Sequence, residues 1–162
     1  MKRVGIIMGS DSDLPVIQKA VDLLRILEIP FEVHVFSAHR TPEQARAFSL
    51  RARENGFGVL IAAAGMAAHL AGAIAANTTL PVIGIPCKGP VLDGLDALLS
   101  TVQMPSGIPV ATVGINNGAN AALLAAEILS VEDAELASRL QKKREADTAA
   151  VLEKDAGIAA RV

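Results

Sequence analysis

The chain has 162 residues, a net charge of -2 at pH 7, 51% hydrophobic residues and only 2% aromatic ones. That length suits one domain with a buried core, while mild acidity and scarce rings give nucleic acid neither a basic field nor a stacking surface. Mean hydropathy is high at +0.41, yet no apolar run reaches the roughly 18–20 residues of a membrane span, so the surplus predicts a sheet covered on both faces and apolar surface between subunits.

In chain order, short runs rich in Val and Ile and bounded by Gly or Pro predict strands over 4–8, 31–36, 59–63, 81–85 and 110–113. Helices are expected between them, over 14–27, 41–55, 67–76, 92–102 and 117–129. In the first helix Ile17, Val21, Leu24 and Leu27 share one face. Strict alternation implies right-handed crossovers. The expected class is α/β, a three-layer α/β/α sandwich around a flavodoxin-like parallel sheet of order 2-1-3-4-5. A further helix of mixed charge, over about 131–155, is expected outside the core or on a neighbouring subunit. There is no internal repeat or linker, so residues 1–162 are read as one domain.

Cys87 is the one cysteine, which excludes an internal disulfide. A start of Met1-Lys2-Arg3 running at once into a strand leaves no room for a signal peptide, so a cytoplasmic protein is expected. Without a CxxC pair or a His/Cys cluster at ligand spacing, a structural zinc site is not expected.

Ligands of such sheets bind outside the carboxyl ends of the strands, where the strand order reverses. Three loops there are unusual. Gly9-Ser10-Asp11-Ser12-Asp13 follows the first strand, Ser37-Ala38-His39-Arg40 the second, and Ala64-Gly65-Met66-Ala67-Ala68-His69 the third. Small residues admit a ligand close to the backbone, hydroxyls and N–H groups bind phosphate, and carboxylates bind sugar hydroxyls. Thr41, Pro42 and Gln44 form a capping-box pattern, with Thr41 expected to cap the second helix through its hydroxyl. His39 and Arg40 would then stand at a helix N-terminus, where anions are favoured and where the Arg fork matches phosphate. His39 adds a side chain able to give and take protons near neutrality. Each loop alone reads as readily as a helix cap or a solvated surface; their convergence favours a small sugar-phosphate pocket.

Other phosphate-binding folds fail on particular residues. The first loop lacks the Lys of a P-loop and the third Gly of a dinucleotide fingerprint. Ala62-Ala63-Ala64 stands where a receiver domain would need its acceptor aspartate, and the absence of Trp and Tyr argues against a flavin.

The segments Met8-Gly9-Ser10-Asp11-Ser12-Asp13, Ser37-Ala38-His39-Arg40-Thr41-Pro42, Ala67-Ala68-His69-Leu70 and the run 102–112 resemble the signatures of the PurE family, the N5-carboxyaminoimidazole ribonucleotide mutases of purine biosynthesis. The resemblance implies an isomerase without ATP, metal or cofactor. It moves a carboxylate from an exocyclic nitrogen to the adjacent imidazole carbon by decarboxylation and recarboxylation. By the same resemblance His39 is the catalytic proton carrier. Ser10, Ser12 and Asp13 hold ribose and phosphate, and Arg40 binds phosphate with Ser37 and Ala38 beside it. Gly65, Ala67, His69 and Leu70 shape the pocket for the carboxylate or carbon dioxide.

Family members often carry Gly-Gly-Ala-Ala-His-Leu-Pro-Gly where this chain has Gly65-Met66-Ala67-Ala68-His69-Leu70-Ala71-Gly72, so Met66 and Ala71 depart from the pattern. The alternatives are a class II enzyme that carboxylates aminoimidazole ribonucleotide directly, whose third loop lacks the Ala-Ala-His-Leu run, and a non-catalytic ribonucleotide-binding subunit. The family also implies a homo-octamer. His34, inside a strand, is read as structural; Cys87 as a packed residue rather than a nucleophile; Asp93 and Asp96 as caps or interface charges.

Overall fold

In the computed structural model, which describes residues 1–159, the predicted apolar runs pair into one parallel sheet. Its strands are β1 (Arg3–Met8), β2 (Phe31–Val35), β3 (Phe57–Gly65), β4 (Val82–Cys87) and β5 (Ala111–Thr112), ordered β2-β1-β3-β4-β5. The expected flavodoxin-like α/β class and strand order are both present. Register is continuous through the centre: Ile6 lies beside Val33 and Ile61, and Ile61 beside Ile83. The order reverses between β1 and β3, which opens a crevice at their carboxyl ends.

Helices α1 (Leu14–Ile26), α2 (Pro42–Arg51), α3 (Leu70–Ala75), α4 (Leu95–Val102), α5 (Gly118–Ser130) and α6 (Ala134–Ala159) complete the described chain. Side-chain alternation along the strands sorts the layers. Val4 and Ile6 of β1, Val59 and Ile61 of β3, and Ile83 and Ile85 of β4 pack in one core with α1 and α5. Ile7, Leu60 and Val82, on the opposite face, pack with Leu70 and Ile74 of α3 and with Phe57. The predicted apolar face of α1 is buried at Ile17, Val21, Leu24 and Leu27.

Helix boundaries differ from expectation where the backbone turns left-handed. The third helix begins at Leu70 rather than near 67, because Met66 takes φ 57° and the N–H groups of Ala68 and His69 close tight turns onto the carbonyls of Met66 and Ala67. The fourth begins at Leu95 because Leu92, Asp93 and Gly94 have φ of 55°, 55° and 95°. Helix α6 docks by its first turns: Leu136 is fully buried, Arg139 Nε donates to the Leu27 carbonyl at 3.0 Å, and Arg144 pairs with Glu127 at 3.1 Å. From Glu145 to Ile158 it is exposed on every side.

Candidate functional site

The loop after β1 is organised by the Ser10 hydroxyl, which accepts from the Ser12 N–H at 3.3 Å and the Ser12 hydroxyl at 2.9 Å. A short 3-10 turn, Asp11–Asp13, follows and leads into α1. Asp13 is not a cap, since its side chain makes no capping hydrogen bond. Its carboxyl is half-buried against the Cys87 thiol at the end of β4. Burial pushes it above its ordinary 3.8; hydrogen bonds from Cys87 and the Ser10 region oppose that rise and Asp11 adds to it.

The Cys87 thiol is pushed from its ordinary 9.0 up to about 12, chiefly by burial and further by the charge of Asp13 and their hydrogen bond. A buried thiol so reluctant to ionise is no nucleophile. The reading of Cys87 as a packed residue therefore stands.

The loop after β2 holds itself together in a way the capping-box pattern does not anticipate. The Thr41 hydroxyl makes no bond to the first turn of α2; it accepts from the Ser37 N–H at 2.8 Å and donates to the Ser37 carbonyl at 3.2 Å. The Ser37 hydroxyl in turn accepts from the N–H groups of His39 and Arg40, at 3.3 and 3.2 Å. Local turn bonds compete with helix capping for the Thr41 hydroxyl, and here the turn holds it. The Ser37–Thr41 turn presents both basic residues, and Arg40 Nη2 reaches the Gly9 carbonyl at 2.8 Å, joining the first two loops.

After β3, His69 precedes α3 without capping it. Gly72 makes room for that ring, since a Cβ there would lie 3.0 Å from His69 Cε1 and 3.1 Å from Met104 Sδ. Met66 accepts the left-handed conformation that a glycine would take without penalty, and its side chain is 61% exposed. The departure thus costs local strain.

These loops enclose a cleft of about 550 Å³. Every residue that the resemblance assigns to the site lines it: Ser10, Ser12 and Asp13 from the loop after β1; Ser37, Ala38, His39 and Arg40 from the loop after β2; Gly65, Ala67, His69 and Leu70 from the end of β3 onward. A fourth wall was missed. Lys88, Gly89 and Pro90 follow β4 and also line the cleft. The available signal was positional: the carboxyl end of β4 adjoins that of β3, and a Lys-Gly-Pro turn stands there.

The remaining polar residues lie elsewhere. His34 stacks on Phe36 with ring centroids 5.0 Å apart and meets the edge of Phe48, outside the cleft, as a structural residue would. Asp93 and Asp96 cap nothing: Asp93 pairs with Lys88, and one Asp96 carboxylate oxygen is buried without a partner. Among the described residues no cluster of three or more His, Cys, Asp or Glu could hold a metal, and no helix is long and apolar enough to cross a membrane.

The family model described as AIR carboxylase matches residues 3–150. The chain belongs to this family. It is 57% identical over 145 residues to the N5-carboxyaminoimidazole ribonucleotide mutase of Pyrococcus abyssi, an alignment covering 90% of this chain and 83% of the relative. The Escherichia coli N5-carboxyaminoimidazole ribonucleotide mutase is 52% identical over 153 residues, covering 93% and 90%. Among solved structures, Treponema denticola PurE superposes with a TM-score of 0.85 at 31% identity, over 95% of this chain and 96% of that one.

Proposed function

We propose that this chain is the mutase that converts N5-carboxyaminoimidazole ribonucleotide to 4-carboxy-5-aminoimidazole ribonucleotide in purine biosynthesis. The observation that carries the reading is the identity, above half over most of the chain, to relatives bearing that name. The cleft supplies groups suited to the reaction.

Protonation of the exocyclic nitrogen by the His39 imidazolium breaks the nitrogen–carboxyl bond and frees carbon dioxide. The adjacent ring carbon, made nucleophilic by the amino group, attacks that carbon dioxide. Neutral His39 then removes the proton displaced from the ring carbon and returns to its starting state. One histidine balances both halves, giving a proton to nitrogen and taking one from carbon. Arg40 and Ser12 anchor the phosphate, Asp13 takes ribose hydroxyls, and the small residues Gly65 and Ala67 leave a pocket in which the gas is held beside its acceptor. Confinement makes recapture effectively intramolecular.

Direct carboxylation of aminoimidazole ribonucleotide is the second reading, and the Ala67-Ala68-His69-Leu70 run favours the mutase over it. Purified protein given either N5-carboxyaminoimidazole ribonucleotide or aminoimidazole ribonucleotide with bicarbonate separates the cases. Efficient turnover of the first supports the mutase, turnover of the second alone supports the carboxylase, and binding without turnover supports a passive subunit.

The proposal extends to a cytoplasmic homo-oligomer, an octamer as in the family the motifs resemble. It is supported by an apolar stripe on and before α4, where Leu92, Leu95, Leu99 and Val102 are exposed at helical spacing, and by the projecting half of α6. Sedimentation of Leu95→Asp/Leu99→Asp protein should show smaller species than the parent.

A further inference from the structure

The cleft carries its basic residues at opposite ends. Arg40 lies beyond β2 and Lys88 beyond β4, with the loops of β1 and β3 between them. Three strand spacings separate those ends, about 14 Å at the usual spacing of paired strands. A carboxylated ribonucleotide is likewise anionic at both ends, with a phosphate at one and a carboxylate at the other.

The root of Lys88 is fixed, because its N–H donates to Asn116 Oδ1 at 2.9 Å. Its ammonium is not. It rests on Asp93 Oδ1 at 2.5 Å, in a pair whose side chains are 55% and 76% exposed. Exposed pairs of this kind hold their partners weakly, and a lysine stem with four rotatable carbons swings readily. Asp93 itself does not line the cleft. An anion drawn into the concave, partly desolvated cleft attracts the ammonium more strongly than a carboxylate standing in water does.

We propose that Lys88 is a substrate-binding residue of this enzyme, which leaves Asp93 to contact an anionic oxygen of the bound ribonucleotide. Asp93 is the competitor that holds the ammonium while the cleft is empty. The inference rests on the ribonucleotide reading above.

Two substitutions that break the same ion pair should act in opposite directions. Lys88→Met removes the contact and should weaken ribonucleotide binding about tenfold, seen as a raised KM with little change in kcat. Asp93→Asn frees the ammonium and should leave affinity at or above that of the parent. Asn tolerates the left-handed backbone at this position as Asp does, so the turn is kept. Lys88→Arg should retain most of the affinity.

Calorimetric titration with aminoimidazole ribonucleotide and with its 4-carboxy derivative tells the two anions apart. Weakening of both by Lys88→Met assigns the phosphate, and weakening of the carboxylated ligand alone assigns the carboxylate. Unchanged affinity of Lys88→Met for both ligands would overturn the proposal. So would Asp93→Asn weakening binding as much as Lys88→Met, since that marks a structural pair. Binding is read separately from turnover, so a parent protein that binds these ribonucleotides without converting them sinks the mutase reading and leaves this one to be judged.

Discussion

Arg40 Nη2 donates to the carbonyl oxygen of Gly9 at 2.8 Å, a bond that ties the loop beyond β2 to the loop beyond β1 across the reversal of strand order. One side chain thus sets the distance between two walls of the cleft, and the rest of its guanidinium fork remains for an anion.

Arg40→Ala should therefore weaken ribonucleotide binding by roughly 10–100-fold, the range for losing a charge-assisted hydrogen bond, with a smaller effect on kcat. Arg40→Lys should restore only part, because an ammonium cannot hold the Gly9 carbonyl and an anion with the same fork geometry. An unchanged KM for Arg40→Ala would remove this residue from the binding role.

His39→Asn should lower kcat by about 10²–10⁴, the usual contribution of a proton-transfer residue, while leaving the fold intact. His39 is exposed and its ring makes no hydrogen bond among the described residues, so melting temperature and circular dichroism should match the parent. Near-normal turnover would assign the proton to another group.

Much of this site was readable from the chain because parallel α/β sheets put their loops where sequence order says they will be. Once the runs ending at Met8, Phe36 and Ala63 are read as adjacent strands, Ser10, His39 and His69 must share a crevice. Local hydrogen-bond choices were not readable in the same way. Thr41-Pro42-Glu43-Gln44 fits a capping box, but Ser37 offers the Thr41 hydroxyl a nearer partner, and only the folded turn decides between them. Lys88 was hidden for a different reason. Its signal is one charge after a buried strand, and only the packing of β4 against β3 brings it to the cleft.

Cys87 and Asp13 make the protein's stability depend on pH in a calculable direction. The folded state holds the thiol near 12 against an ordinary 9.0, so folding favours the protonated form. That contribution is complete below 9.0 and is lost as pH rises toward 12. Cys87→Ala should lose less melting temperature than the parent between pH 8 and 10.5. Iodoacetamide should leave native Cys87 unlabelled at pH 8 and label it in denaturant; rapid native labelling would contradict the burial. Asp13, also raised, carries stability that is complete below 3.8 and falls as pH rises through its folded value. Asp13→Asn should thus melt higher than the parent at pH 7, with the gain shrinking toward pH 4, while its ribonucleotide affinity falls.

The packing behind the first loop is equally open to test. Gly118 begins α5 where it crosses α1, and a Cβ there would collide with the Val16 carbonyl and press on the Ala20 N–H. Neither is the end of a flexible side chain, so Gly118→Ala must move one helix against the other. Overpacking of this kind costs about 1–3 kcal/mol, and for a chain of this size that is a fall of roughly 2–12 °C in melting temperature. Val16 sits three residues beyond Asp13, in the first turn of α1. Displacing α1 should therefore disturb the Ser10–Asp13 loop and raise KM as well as lower stability. Gly56→Ala is the contrasting control. Its left-handed φ of 82° is strained for alanine, but a Cβ there meets nothing within 4 Å and the position lies away from the cleft, so stability should fall with KM unchanged. If both variants raised KM equally, α1 packing would not be what positions the first loop.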